Sequence, residues 1–177
     1  GDYAFNSCGL ISMTVPSSVV TMGGNVFSSN IGGCGVSING LRMLYYDGPA
    51  TGSTWGARCV NGYEEDSLFY TSSNKRVLVC GHPKIVVAHI PNTVTQIRNA
   101  AFLECTELQS VTMGNSVTTI VDCAFNMGNH LIDSLTVPNS VTSIGNNAFL
   151  SVKMLFYNGS GSYGVWYKNG FCEDSIF

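Results

Sequence analysis

Charge is what this sequence has least of. Eight basic and eleven acidic residues among 177 leave a net charge of −3 and a charged fraction of 11%, well under the quarter usual for globular domains. With so few cations there is no basic patch to meet a phosphate backbone or an anionic bilayer, so neither nucleic acid nor an anionic membrane surface is an expected partner. Long hydrophobic runs are also missing. No stretch of 18 apolar residues exists, so no segment reads as a membrane-spanning helix. Cysteine is present seven times, but without Cys-x-x-Cys or His-x-x-x-His spacing, which removes the usual zinc signatures. An odd count without regular spacing argues for mostly reduced, buried thiols rather than a disulfide framework.

What the chain does have is repetition. Counted from Pro16, Pro91, Gly114 and Pro138, a Val sits three residues on, at Val19, Val94, Val117 and Val141. Six on come Met22, Ile97, Ile120 and Ile144, and eleven on come Phe27, Phe102, Phe125 and Phe149. The strand before each bend is as regular, with Leu10, Ile85, Leu108 and Ile132 at minus six and Met13, Ala88, Val111 and Leu135 at minus three. Contiguous copies lie 23 and 24 residues apart. A fixed period in this range means a solenoid, in which each turn buries its apolar side only against the next. Proline suits the bend because its fixed φ and missing N–H end strand pairing there. Four Phe at one offset predict a stacked, buried aromatic spine.

A longer repeat overlies the short one. Met43-Leu-Tyr-Tyr-Asp-Gly48 returns as Met154-Leu-Phe-Tyr-Asn-Gly159, 111 residues later, and Trp55 returns as Trp166. Asn61 to Phe69 returns as Asn169 to Phe177 after a three-residue deletion. These are further solenoid turns whose return path is replaced by an insertion. In the first copy, two apolar runs around Ser72-Ser-Asn-Lys75 predict a β-hairpin over 68–80. The expected organisation is one solenoid domain, 1–177, with repeats at 1–48 and 83–159, a hairpin insertion at 49–82 and a truncated second insertion at 160–177. The insertion at 49–82 should leave the solenoid, with Trp55 packed on its body. The chain reads as a fragment of a longer repeat protein, since both ends fall inside a repeat.

Six strands are expected in one parallel sheet, near 10–15, 41–46, 85–90, 108–113, 132–137 and 152–157. Residues four and two before each bend should point away from the core. In ordinary turns these are Ser12 and Thr14, Ser110 and Thr112, and Ser134 and Thr136; in the two insertion-bearing turns they are Met43 and Tyr45, and Met154 and Phe156. Apolar and aromatic side chains at such positions are either covered by the chain or offered to a partner. Met43, Tyr45, Ser110, Thr112, Ser134, Thr136, Met154 and Phe156 are therefore the candidate binding residues.

Catalytic readings dissolve on inspection. Gly159-Ser-Gly161-Ser-Tyr-Gly164 has dinucleotide-loop spacing but no helix after it, and its first copy reads Gly48-Pro-Ala-Thr-Gly52, so it is a turn. Glu64-Glu65-Asp66 and Glu173-Asp174 are solvated acids at a hairpin mouth. Cys80, His82 and His89 flank a strand without nucleophile or metal spacing, and His130 lies in a surface loop. No cofactor, no metal and no enzyme activity are expected.

The unit Ile132-Asp-Ser-Leu-Thr-Val-Pro-Asn-Ser-Val-Thr-Ser-Ile-Gly-Asn-Asn-Ala-Phe149 closely resembles the BspA-like (Treponema pallidum-type) leucine-rich repeat, over roughly 1–27 and 85–153. That family often places Cys three after the Phe. Cys8 and Cys105 obey, which would face them inward. The resemblance implies a right-handed, mainly β solenoid with one parallel sheet. It further implies a cell-surface or secreted, adhesin-like module that binds host, matrix or other microbial proteins. A structural spacer within a larger surface protein is the alternative, and a carbohydrate-binding or hydrolytic unit a weaker one.

Overall fold

Short runs in which apolar residues alternate with Ser and Thr, each closed by Pro, Gly or Asn, favour many brief strands over helices. The computed structural model describes residues 1–28, 30–31, 37–38, 41–51, 55–128, 130–157 and 162–163, and among them there is no helix. The first strands are β1 (Ser12–Thr14), β2 (Asn30–Ile31), β3 (Ser37–Ile38) and β4 (Met43–Tyr45). The insertion contributes β5 (Cys59–Val60), β6 (Tyr63–Glu65), β7 (Leu68–Tyr70) and β8 (Val77–Gly81). Next come β9 (Val87–Ile90), β10 (Gln96–Ile97), β11 (Ser110–Met113) and β12 (Thr119–Ile120). The series ends with β13 (Ile132–Val137), β14 (Ser143–Ile144), β15 (Val152–Tyr157) and β16 (Ser162–Tyr163).

The solenoid reading holds, but its continuous sheet lies on the other side from the one expected. The return segments form a seven-stranded sheet ordered β16-β14-β12-β10-β8-β7-β6. Its parallel part aligns Leu78, Ile97, Ile120 and Ile144 in one row, all buried. The six strands of the opposite face pair in parallel as expected, yet in three pieces: β1-β4-β5, β9-β11 and β13-β15. The single six-stranded sheet is therefore corrected. One break exists because β5 from the insertion pairs with β4, Met43 facing Cys59 and Leu44 facing Val60, where β9 was expected. The other falls between β11 and β13. There the corner from Phe125 to Ile132 is one residue longer than that from Phe102 to Leu108, and His130 Nε2 in it lies 2.5 Å from Leu108 O.

The hairpin expected over 68–80 is present as antiparallel β7–β8, with Phe69 opposite Cys80. A second, unforeseen hairpin joins β6 to β7 through Asp66 and Ser67, whose φ values of 51° and 63° are the double left-handed geometry that matches strand twist. The insertion does not leave the solenoid. It returns as β8, which joins the parallel sheet beside β10. Trp55 packs on the body as expected, edge-on to Tyr46 with centroids 5.7 Å apart.

Phe102, Phe125 and Phe149 form a contiguous buried stack with centroid spacings of 4.9 and 5.7 Å. Phe27 is also buried, stacked on Phe5 at 5.8 Å. Five spine positions are fixed by a backbone bond to the residue preceding the counterpart in the next turn: Phe5 N to Val26 O, Phe27 N to Trp55 O, Gly81 N to Ala101 O, Phe102 N to Ala124 O and Phe125 N to Ala148 O. Gly56 and Gly81 thus hold the spine position between Phe27 and Phe102. A Cβ on Gly81 would come 2.9 Å from Cys105 Sγ and 3.1 Å from the Phe102 ring, and one on Gly56, at φ 86°, would meet Ser28 N at 2.6 Å. The aromatic stack divides there for lack of space. Side chains repeat the same logic at the edge: Asp2, Asn92 and Asp122 each accept a backbone N–H from the following turn, at Gly24, Asn115 and Asn146, over 2.7–2.8 Å.

Removing one ring from a closed stack leaves a cavity that its neighbours cannot fill. Phe102→Ala should cost about 3–5 kcal/mol, and Gly81→Ala about 1–3 kcal/mol through overpacking against Cys105 and Phe102. Urea unfolding of the two variants checks both; an unchanged midpoint for Phe102→Ala would contradict the spine.

Candidate binding surface

Register decides which residues share the face of β1, β4, β9, β11, β13 and β15. Thr14 lies beside Tyr45, Ser110 and Thr112 beside Val87 and His89, and Ser134 and Thr136 beside Met154 and Phe156. Ser110, Thr112, Ser134 and Thr136 are exposed, while Met154 and Phe156 are half-buried. The two members of the Met43/Tyr45 pair have opposite fates. Tyr45 is 38% exposed, but Met43 is fully enclosed, packed with Cys59, Phe69, Val79 and Cys80. The cause is the insertion. Leu68, Tyr70 and Leu78 join the main core, which turns Phe69 and Val79 to the opposite side of the hairpin, against Met43. Met43 is withdrawn from the surface set for that reason.

Tyr45 borders an open groove of about 480 Å³ lined also by Thr14, Pro16, Ser17, Asp47 and Asn61. Asn61 fixes the groove's end in place of a further ladder bond. Its Oδ1 accepts from Tyr46 N at 2.8 Å, and its Nδ2 donates to Tyr46 O at 2.6 Å and to Asp47 Oδ1 at 3.1 Å. Below, the Tyr46 hydroxyl donates to Val19 O and accepts from Ala50 N. These bonds tie the groove wall together, and the Tyr45 side chain stands outside them.

Val87 and His89 belong to the same face, exposed, with the His89 ring 2.9 Å from the Thr112 hydroxyl. They sit four and two residues before Pro91, so the offset rule that selected the other candidates also contained them. The rule did not reveal a buried polar joint. Arg42 is only 2% exposed and pairs with Glu104, while Arg58 Nη2 donates to Ala100 O at 2.9 Å and Asn99 O at 3.3 Å. Burial lowers the Arg58 pKa from its ordinary value, opposed by Cys80 and reinforced by Arg42. These bonds tie the β4–β5 region to the turn that carries Phe102.

The remaining sequence candidates stay apart. Glu65 pairs with Lys75 beside the β6–β7 turn. His82 Nδ1 accepts from Lys84 N at 3.1 Å, and Cys80 is buried. No group of three metal-ligating side chains occurs among the described residues, and no helix there is long and apolar enough to cross a membrane. Residues 159–161 and 164–177, with Trp166 and the Glu173-Asp174 pair, lie outside the described residues. Of the cysteines, Cys59, Cys80 and Cys105 are free and buried as expected, but Cys8 is exposed and not inward. Cys123 is disulfide-bonded, an exception that the reading of mostly reduced thiols leaves room for.

A family model described as the BspA type leucine rich repeat region matches six copies over residues 1–39 and 80–158. No curated protein matches the chain. Among solved structures, a leucine-rich repeat protein from Eubacterium ventriosum superposes with a TM-score of 0.52 at 19% identity, over 90% of this chain and 57% of that one. A leucine rich cell surface protein from Faecalibacterium prausnitzii gives 0.41 at 20% identity, over 85% and 39%. The pneumococcal vaccine antigen PcpA gives 0.47 at 14% identity, over 84% and 51%. This chain thus spans little more than half the length of the first of these and less of the second.

The buried thiols set a test of the joint. Burial pushes Cys105 from 9.0 up to about 12 and raises Cys59 and Cys80 as well. A thiol that ionises only after unfolding binds its proton more tightly in the native state, so stability falls as pH rises past that ordinary value toward the raised one. Iodoacetamide at pH 8 should label Cys8 in the native protein and reach Cys59, Cys80 and Cys105 only after denaturation, read by peptide mass mapping. Rapid native labelling of Cys105 would contradict the burial.

Proposed function

The chain belongs to the BspA-type leucine-rich repeat family, and on that premise we propose that it is a protein-binding, adhesin-like module of a cell-surface or secreted protein. Its partner is a host, matrix or other microbial protein. The observation that carries this reading is Tyr45. It is an aromatic side chain open at 38% on a strand whose next outward residue, Met43, is sealed by the chain itself. Tyrosine supplies a large contact area for few frozen torsions, and it is enriched where binding energy concentrates. Thr14 and Ser17 beside it, with Ser110, Thr112, Ser134 and Thr136 on the other strand pairs, give hydroxyls that adapt to a partner's backbone, and the sparse charge leaves little to desolvate. Surface localisation rests on the family. Met154 and Phe156, half-buried in the register equivalent to Met43 and Tyr45, form the second half of the surface.

A pull-down from host extracellular matrix, read by mass spectrometry with the native chain and Tyr45→Ala side by side, tests the proposal. The expected result is a partner retained by the native chain and weakened at least tenfold by Tyr45→Ala at unchanged melting temperature. If every captured protein binds both forms equally, the surface is not a docking site and the module is a structural spacer. A glycan array that lights up only with intact Tyr45 would move the reading to carbohydrate.

A further inference from the structure

Two arginines are buried at the joint, and one carboxylate accompanies them. Arg42 and Arg58 occupy the same row of adjacent strands, since Met43 registers with Cys59. Glu104 takes one arm of the Arg42 guanidinium. Arg58 spends one arm on the Ala100 and Asn99 carbonyls. Nη1 of each arginine is buried with no hydrogen-bond partner among the described residues. Leaving such a donor unpaired is costly, and more so for an ion than for a neutral group. Asn99 Oδ1 is the one buried side-chain acceptor left without a partner among the described residues, fewer than the two donors, so a further acceptor would still find one open.

Space for one exists beside Arg42. The corner from spine to strand takes five residues from Phe5 to Leu10 and six from Phe102 to Leu108, but Arg58 follows Gly56 after a single residue. Beside Arg42 lies an open slot of about 430 Å³, lined by Leu10, Ile11, Arg42, Pro83, Lys84 and Glu104 among others. One wall is aliphatic, and the cationic end pairs the buried Arg42 with the exposed Lys84. We propose that this slot binds an aliphatic carboxylate. Its oxygens take the planar guanidinium fork of Arg42 side by side, a geometry that a carboxylate matches. Its alkyl part lies on Leu10, Ile11 and Pro83, and Lys84 closes over the charge. Glu104 is then an internal competitor, a carboxylate of the chain that holds the fork until the ligand displaces it. The same chemistry fits a free short-chain carboxylate or an acidic side chain of a polypeptide. The site is separate from Tyr45 and does not rest on the docking proposal.

Calorimetric titration of the full chain with sodium hexanoate tests this, with sodium chloride and sodium sulfate at equal ionic strength as references. Hexanoate should bind where the inorganic anions do not, and Lys84→Ala should weaken it several-fold. Glu104→Gln, which removes the competitor, should tighten it several-fold; a purely structural role for Glu104 predicts no gain. Tyr45→Ala should leave the affinity unchanged. Capped glutamate run alongside distinguishes the sources: tighter binding than hexanoate assigns the slot to a polypeptide side chain, and weaker binding to a free carboxylate. The proposal is overturned if hexanoate behaves as chloride or sulfate does, or if Glu104→Gln binds it no better than the native chain.

Discussion

In a solenoid the backbone groups and the apolar side of each turn have one place to go, which is the next turn. That constraint organises this molecule. The spine amides of Phe27, Phe102 and Phe125 all donate to the turn that follows, and their rings stack because the same step that closes each backbone bond sets ring against ring. The hydroxyls of Thr118 and Thr142 donate the other way, to Thr95 O and Thr118 O of the turn before. Almost every stabilising contact is therefore to a neighbouring turn, and anything that interrupts the stack must supply a substitute for it.

The interruption at 49–82 does so in three ways. It provides β8 as a parallel neighbour for β10, so the return sheet does not end. It builds a small separate core around Met43, Phe69 and Val79, which covers what an ordinary turn would have left outward. It places glycine at the two spine positions where a ring has no room. The cost of the substitution is charge taken out of water. Arg42 and Arg58 reach across to Glu104 and to the Ala100 and Asn99 carbonyls, and such groups hold only while their bonds hold. The proposed docking surface traces to the same event, since the insertion seals Met43 and leaves Tyr45 open.

What could be read in the sequence is what repeats. The rows Val94, Val117 and Val141, or Ile97, Ile120 and Ile144, announce themselves by offset, and all are buried. The hairpin around Ser72 to Lys75 was legible from two apolar runs about a polar turn. What could not be read is what departs from the short repeat. Gly56 and Gly81 look like loop glycines until a backbone bond places them on the spine. Met43 obeys the outward offset and is still buried, because its cover comes from Phe69, some 26 residues away and outside the repeat. Arg42 is one of the few charges in the chain, and charge at a strand start reads as surface. Offsets carry register, but they do not carry the packing of an element that lies outside the short repeat.

The central claim is that the insertion is a working part of the solenoid and not an appendage, and native-state hydrogen exchange tests it most directly. Amides of β8, above all Gly81 bonded to Ala101 O, should be protected to the same free energy as those of Phe102 and Phe125 and should lose protection with the same denaturant dependence, as one cooperative unit. If Gly81 and its strand exchange through a smaller opening while Phe102 stays closed, the insertion unfolds by itself and the account is contradicted.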